Sequence, residues 1–407
     1  MQPADSQRTP GYGTPLAFLT SLFFMWGFMT SLNDILIPHL RSAFDLSYTQ
    51  AMLVQFCFFG AYAIVSLPAG KLIERLGYQR GIVVGLLLGG LGCWLFWPAA
   101  SALLYPLFLG ALFILAAGIT LLQVSANPYV SALGPEATAP SRLVWTQAFN
   151  SLGTTVGPLL GGLVILGSTA GASDPAGEAQ SVQHPYLLLG LLFFLLALVF
   201  AKIRLPVLSI EAAPVPQSAD ANRSALGYAQ LRFGVLAIFV YVGGEVAIGS
   251  FLINYLGDPS IAGLSEIEAS GYVSYYWGGA MLGRFIGAYT TRAFAPGRVL
   301  ALHALAALLL VVVSMASSGA LAMWSILAVG LCNSIMFPTI FSLAVSGLGS
   351  HTSQGSGLLC MAIVGGALLP VLQGLIADSS GLQAGFIVPA LCYLYISYYG
   401  LRFQKTA

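Results

Sequence analysis

Gly153, Pro158 and Gly162 recur as Gly365, Pro370 and Gly374, each displaced by the same 212 residues (365 − 153 = 212). Pro128, within Asn127-Pro128-Tyr129, has a near counterpart in Pro338, within Phe337-Pro338-Thr339, at a displacement of 210 (338 − 128 = 210). The stretch from Gly70 to Gly81 has a looser partner in Gly283-Arg284 to Arg292. A parallel duplication on this scale in a strongly apolar chain implies two like halves that together enclose a path across a membrane. Asp34 and Glu245 stand inside apolar segments at nearly matching places in the two halves (245 − 212 = 33).

Charge content fixes the class independently. Only 7% of the residues are charged, against roughly 25% in an ordinary soluble domain, so the chain cannot cover a water-facing surface. A net charge of +1 gives no reason to expect a nucleic acid or an acidic partner. Cys57, Cys93, Cys332, Cys360 and Cys392 are scattered through apolar runs without a CxxC pair. They read as small membrane-embedded side chains, and neither a disulfide framework nor a metal site is expected. The segment before Leu16 is short and polar, and the apolar run after it is too long for a signal peptide, so no cleaved leader is expected.

Twelve runs are long enough to span a bilayer as helices of about 20 residues or more. They cover 15–39, 48–74, 80–99, 103–133, 143–168, 184–205, 229–256, 268–292, 297–315, 320–347, 351–378 and 383–403. The expected fold is all-α, with two pseudo-symmetric six-helix bundles at 15–205 and 229–403. A polar, Pro-containing linker at 206–228 joins them, and short tails lie at 1–14 and 404–407. The insert 169–183 reads as an external loop. Spans four, five, ten and eleven carry mid-span Pro and Gly, which mark kinks and points of close packing. With the N-terminus inside, nearly all Lys and Arg fall on the cytoplasmic side, Arg41 being the exception, and both termini are expected to be cytoplasmic.

A carboxylate at membrane depth costs several kcal/mol unless it is protonated, paired or wetted. Asp34 is therefore either a titrating or substrate-binding acid or a helix-capping acid at the outer mouth. Glu245, flanked by Gly243, Gly244 and Gly249, is either a binding acid or a structural one. Both are candidates for cation coupling. Gln123 and Asn127 share one face of span four, and Gln147, Asn150 and Ser151 share one face of span five. Amides suit the neutral hydroxyls of a sugar, and the competing reading is interhelical hydrogen bonding. Asn127 could simply serve the backbone freed by Pro128. Asn33, Asn254, Trp277, Asn333, Gln354 and Gln373 are the further polar or aromatic candidates, and Trp26 is the first-half indole on which a sugar face could stack. Trp97 and Trp324 read as interface anchors.

The run from Pro68 to Arg80 resembles the loop between the second and third spans of the major facilitator superfamily, with Glu74 where the usual acid is Asp. Its implied role is a conformational latch involving Gly70, Glu74, Arg75 and Arg284, and the plain alternative is a positive-inside loop. The segments Asn33-Asp34-Ile35-Leu36-Ile37-Pro38, Gln123 to Val130, Phe337 to Leu343 and Met361 to Pro370 are similar to the fucose/galactose/glucose–proton symporter family within that superfamily. The resemblance runs over nearly the whole chain. It implies cation-coupled uptake of a monosaccharide at a site between two bundles; a bacterial inner membrane is the expected location, no cofactor is expected, and a monomer suffices because one chain holds both halves. Asp34 matches the family's functional acid, and Gln147 and Asn150 match polar residues that contact sugar. Gln123 stands where the fucose branch has a glutamate. Glu245 is closer to the glucose/galactose and N-acetylglucosamine branches. The expected substrate is thus a glucose-type hexose, with N-acetylglucosamine or fucose, and an uncoupled facilitator, as alternatives. The residues leave proton and sodium both open. No HExxH, Ser/His/Asp grouping or phosphate loop points to an enzyme or an ATP-driven pump.

Overall fold

The computed structural model describes residues 13–44, 48–161, 182–203, 205–206 and 224–404, and the side chains among them other than those of 32–55, 158–161, 266–267 and 270. The expected external loop at 169–183 and most of the linker fall outside that range.

Twelve helical spans follow in order. The first six are α1 (Gly13–Phe44), α2 (Tyr48–Leu76), α3 (Tyr78–Ala102), α4 (Tyr105–Ala132), α5 (Ala139–Gly161) and α6 (Gln183–Lys202). The second six are α7 (Ala229–Gly257), α8 (Glu266–Ala293), α9 (Pro296–Ala316), α10 (Gly319–Val345), α11 (Gly349–Ser380) and α12 (Leu382–Arg402). Ten of the twelve hold a window apolar enough to cross a membrane. The described part of α5 and the whole of α8 fall short. A Ser265–Glu268 capping box starts α8 by satisfying backbone donors that its first turn cannot. The face at which α6 ends and α7 begins is termed the linker face.

α4 and α10 are the most enclosed spans, 72% and 83% buried over their apolar windows, which places this matched pair at the centre of its respective halves. Leucines on one stripe of α6 (Leu188, Leu191, Leu195) and of α9 (Leu302, Leu305, Leu309) face outward, as lipid-facing helices require. Within each half the helices meet at glycine. A Cβ on Gly153 of α5 would overlap the Phe24 carbonyl of α1, and one on Gly365 of α11 would overlap the Phe239 carbonyl of α7. The duplicated glycines therefore do duplicate work, letting two backbones touch.

This docking also sets a register that the sequence displacement does not show. Phe24 and Phe239 are 215 residues apart (239 − 24 = 215), three more than the glycines they receive. On that register Asp34 answers to Gly249 (34 + 215 = 249), one turn or about 6 Å beyond Glu245. The two acids are near one another in level without being copies.

The expected kinks are not shared equally. The α4 backbone stays helical through Pro128 and that of α5 through Pro158. α10 breaks between Gly319–Asn333 and Met336–Val345, and a 3₁₀ turn at Ala362–Val364 interrupts α11. A proline leaves the carbonyl four residues earlier without its helical donor. For Pro128 that carbonyl belongs to Val124, and Ser356 Oγ of α11 donates to it across the two halves at 3.0 Å. For Pro338 it belongs to Ser334, and Arg284 Nε of α8 donates to it at 3.1 Å. Asn127, a sequence candidate for this service in α4, does not perform it, since both of its side-chain polar atoms are buried and unpartnered.

Ser356→Ala is expected to lower the melting temperature of the purified protein, because an orphaned buried carbonyl costs about 1–3 kcal/mol. Pro128→Ala supplies Val124 with a backbone donor, so the loss should shrink in that background. A double-mutant cycle showing no coupling would refute the assignment.

Candidate functional site

Two antiparallel seams join the halves, and both run from the linker face to mid-depth. In the first, α5 meets α8. Ser141 Oγ donates to the Ala288 carbonyl at 2.5 Å, the Phe149 and Phe285 rings lie 6.0 Å apart, and Thr155 Oγ1 reaches Met281 Sδ at 3.6 Å. In the second, α2 meets α11, where a Cβ on Gly70 would fall 2.9 Å from the Ser353 carbonyl and one on Gly357 2.7 Å from that of Ser66. The duplication exchanges the two seams, since α2 corresponds to α8 and α5 to α11.

The stretch expected to form the latch is two helices joined by a one-residue turn. Gly77, whose φ is 81°, makes the whole of that turn between α2 and α3. Gly70 does stand at the joint, by backbone close approach. Glu74 is half-buried and Arg75 exposed. Beside this joint, Ser346 at the end of α10 donates to Glu136 between α4 and α5. Arg284 lies elsewhere. It sits inside α8, nine residues before its end and so about 14 Å below the linker face.

Arg284 is the residue that sequence reasoning misplaced. Its Nε holds the Ser334 carbonyl, and a terminal nitrogen donates to Ser151 Oγ of α5, in the other half. Arg284 faces the same break in α10 as Glu245 of α7, because the Tyr241 hydroxyl that bonds Glu245 also lies 3.3 Å from the Asn333 carbonyl, next to the Ser334 carbonyl that Arg284 holds. The cation of α7 itself, Arg232, is exposed and thirteen residues, roughly 20 Å, from Glu245 along the helix, so Arg284 of the next helix is the nearer in level. Glu245 Oε1 accepts from the Tyr241 hydroxyl at 2.7 Å. The Tyr276 hydroxyl donates to the Glu245 carbonyl at 3.3 Å and accepts from Asn333 Nδ2 at 2.8 Å. Tyr241, Tyr276 and Asn333 are all buried. The sequence signal was a polar residue in each of α7, α8 and α10, and nothing in their spacing linked them.

In the first half, Gln147 is buried one turn from Ser151, on the face of α5 that carries Asn150. Asn150 Nδ2 donates to the Phe23 carbonyl of α1 at 3.0 Å, so half of its amide is occupied in docking. Trp26 is 5% exposed, with its ring 5.1 Å from that of Phe23. Gln123 Nε2 donates to the Tyr62 hydroxyl, joining α4 to α2. Asn33 and Asp34 belong to helical α1, and their side chains lie outside the described residues.

Of the other second-half candidates, Trp277 borders this cluster, its ring 5.1 Å from that of Tyr276, and three stand apart. Asn254 is exposed in the last turn of α7. Trp277 is 43% exposed and covers Gly249. Gln354 is half-buried in the α2–α11 seam. Gln373 is fully buried, with both amide atoms unpartnered, against Gly385.

The halves set polar side chains near one another across the α5–α8 seam. One wall offers amides and a hydroxyl, the other a carboxylate, a guanidinium and phenols. Donors and acceptors of both kinds suit a polyhydroxylated neutral molecule, and the acid gives the same site a place for a cation.

A family model described as Major Facilitator Superfamily matches residues 18–363. The glucose/galactose transporter of Brucella abortus biovar 1 (strain 9-941) is 57% identical over 402 residues, covering 99% of this chain and 97% of that one. The L-fucose-proton symporter of Escherichia coli (strain K12) is 35% identical over 424 residues, covering 99% and 96%. The crystal structure of the major facilitator transporter FucP in the outward conformation superposes with a TM-score of 0.89 at 35% identity, over 97% of this chain and 100% of that one.

Proposed function

The chain belongs to the major facilitator superfamily, and from that footing we propose that it is a secondary active transporter which takes up a glucose/galactose-type hexose together with a cation. The superfamily is one of transporters, and the chain is not an enzyme. The reading rests above all on the 57% identity to a glucose/galactose transporter over almost the entire length. The α5–α8 seam supports it, because Gln147 and Asn150 on one wall and Glu245 and Arg284 on the other present the complementary hydrogen-bonding groups a hexose needs.

The cycle is alternating access. Sugar and cation enter between the halves from the face opposite the linker, where the seams described above do not reach. Asp34 and Glu245 take the cation, and the cleft dries only when the charges facing it are compensated, since a bare charge in a low-dielectric site is costly. The halves then rock about the site and part along the two seams. A ligand drives this only as far as it binds one state better than the other. The chain works as a monomer in a bacterial inner membrane, with both termini in the cytoplasm, and uses no cofactor beyond the transported cation.

Uptake of labelled glucose into proteoliposomes tests this, under an inward proton gradient, an inward sodium gradient, and none. Accumulation above equilibrium with one gradient is expected, and it names the ion. Equilibration without accumulation under either gradient would make the protein a facilitator. Absence of glucose flux with flux of N-acetylglucosamine or fucose would reassign the sugar.

A further inference from the structure

We propose that Arg284 is the positioning residue through which sugar and cation become obligatory partners, serving Glu245 in the empty site and the sugar in the loaded one. The inference rests on the transport reading above and concerns how its two ligands are tied together.

A guanidinium has five N–H donors in a rigid fork and stays charged at any working pH. In this structure one donor holds the Ser334 carbonyl and another reaches Ser151. The first bond anchors the side chain, because Pro338 removed the helical donor that Ser334 would otherwise have. The second lies against the first half, one residue from Asn150 and one turn from Gln147, where a sugar between the walls would lie. The remaining donors have two claimants, the Glu245 carboxylate and the oxygens of the sugar. Glu245 keeps its Tyr241 bond in either case.

Four states follow. With the site empty, carboxylate and guanidinium balance. With sugar alone, the guanidinium turns to the sugar and Glu245 is left as a bare anion in a cleft that must dry. With cation alone, Glu245 is neutralised and Arg284 is left as a bare cation. With both, the cation satisfies Glu245 and the sugar satisfies Arg284. Burying one uncompensated charge is strongly unfavourable, whereas burying a compensated pair is close to neutral. Only the empty and doubly loaded forms can close, which is the rule a symporter has to obey.

The test uses the full chain in proteoliposomes, with labelled glucose as probe and two readouts: gradient-driven accumulation and gradient-free exchange. Arg284→Gln is expected to abolish accumulation and to slow exchange by about tenfold or more, since it strands Glu245. Adding Glu245→Gln removes the stranded charge, so the double variant should recover exchange while still failing to accumulate. Arg284→Lys keeps the charge and loses the fork, and is expected to raise KM for glucose while keeping some accumulation. Wild-type accumulation in Arg284→Gln, an unchanged KM in Arg284→Lys, or a double variant no better than Arg284→Gln would each overturn the proposal. If the wild-type protein moves no hexose, the transport reading fails separately. The charge pairing is then judged on melting temperature, which should fall in Arg284→Gln and recover in the double variant, and a double variant that fails to recover refutes it.

Discussion

Gly365→Leu is expected to remove folded protein from the membrane fraction altogether. The neighbour a side chain would meet at Gly365 is the Phe239 main-chain carbonyl, with its carbon and Cα behind it. Backbone of a packed helix cannot turn aside as a side-chain tip can. Ordinary overpacking costs about 1–3 kcal/mol when neighbours can shift. Here α7 and α11 would have to separate along their length, which belongs to the class of changes above about 4 kcal/mol. Gly153→Leu should behave alike, because it meets the Phe24 carbonyl and the Phe28 nitrogen in the same way. Gly271, on exposed α8 surface, has nothing within 4 Å of an added Cβ, and Gly271→Leu is the neutral control. A monodisperse peak of normal yield from Gly365→Leu on fluorescence-detected size exclusion would show that folding does not depend on the close α7–α11 backbone contact.

Asp34→Asn is expected to abolish uphill sugar uptake while leaving exchange across the membrane. Asparagine keeps the size and hydrogen-bonding capacity of the acid and removes its charge. A permanently neutral group can let the halves rock, and it cannot gather energy from an ion gradient. The effect on accumulation should be complete, and the effect on exchange no more than a few-fold. The register set by Phe24 and Phe239 places Asp34 opposite Gly249, so Asp34 is not a second copy of Glu245 and the two substitutions need not act alike. Retained accumulation in Asp34→Asn, alongside loss in Glu245→Gln, would assign coupling to Glu245 alone.

The fold was legible because the bilayer leaves so few options. An apolar run must be a helix to satisfy its own backbone, so twelve runs give twelve helices, and a repeated Gly–Pro–Gly pattern gives two like halves. The close contacts at Gly153 and Gly365 could be anticipated in kind, since small residues mark helix contacts in membranes. Their register could not, because the sequence has no record of how far α1 slides along α5. The site was legible residue by residue and not as a set. Glu245 could not be linked to Arg284, which lies 39 positions on in another helix (284 − 245 = 39). Arg284 looked like part of the latch because Gly283-Arg284 echoes the turn after α2. The role of Ser356 had no signal in sequence, since a serine in an apolar span is unremarkable until Pro128 is seen to have stripped a carbonyl 232 residues away in the chain.

The two stripped carbonyls have unequal fates during transport. The Ser334 carbonyl is served by Arg284 from its own half, and that bond travels with the half as a rigid unit. The Val124 carbonyl is served by Ser356 from the opposite half, so it must change partner whenever the α2–α11 seam parts. Solvent entering the parted seam can then serve it. α4 is therefore expected to admit water to its backbone when the seam parts, and α10 is not. Hydration of one helix and not its twin makes the first half the softer of the two, and an isotope-edited carbonyl at Val124 would register each opening of that face as a shift in its infrared band.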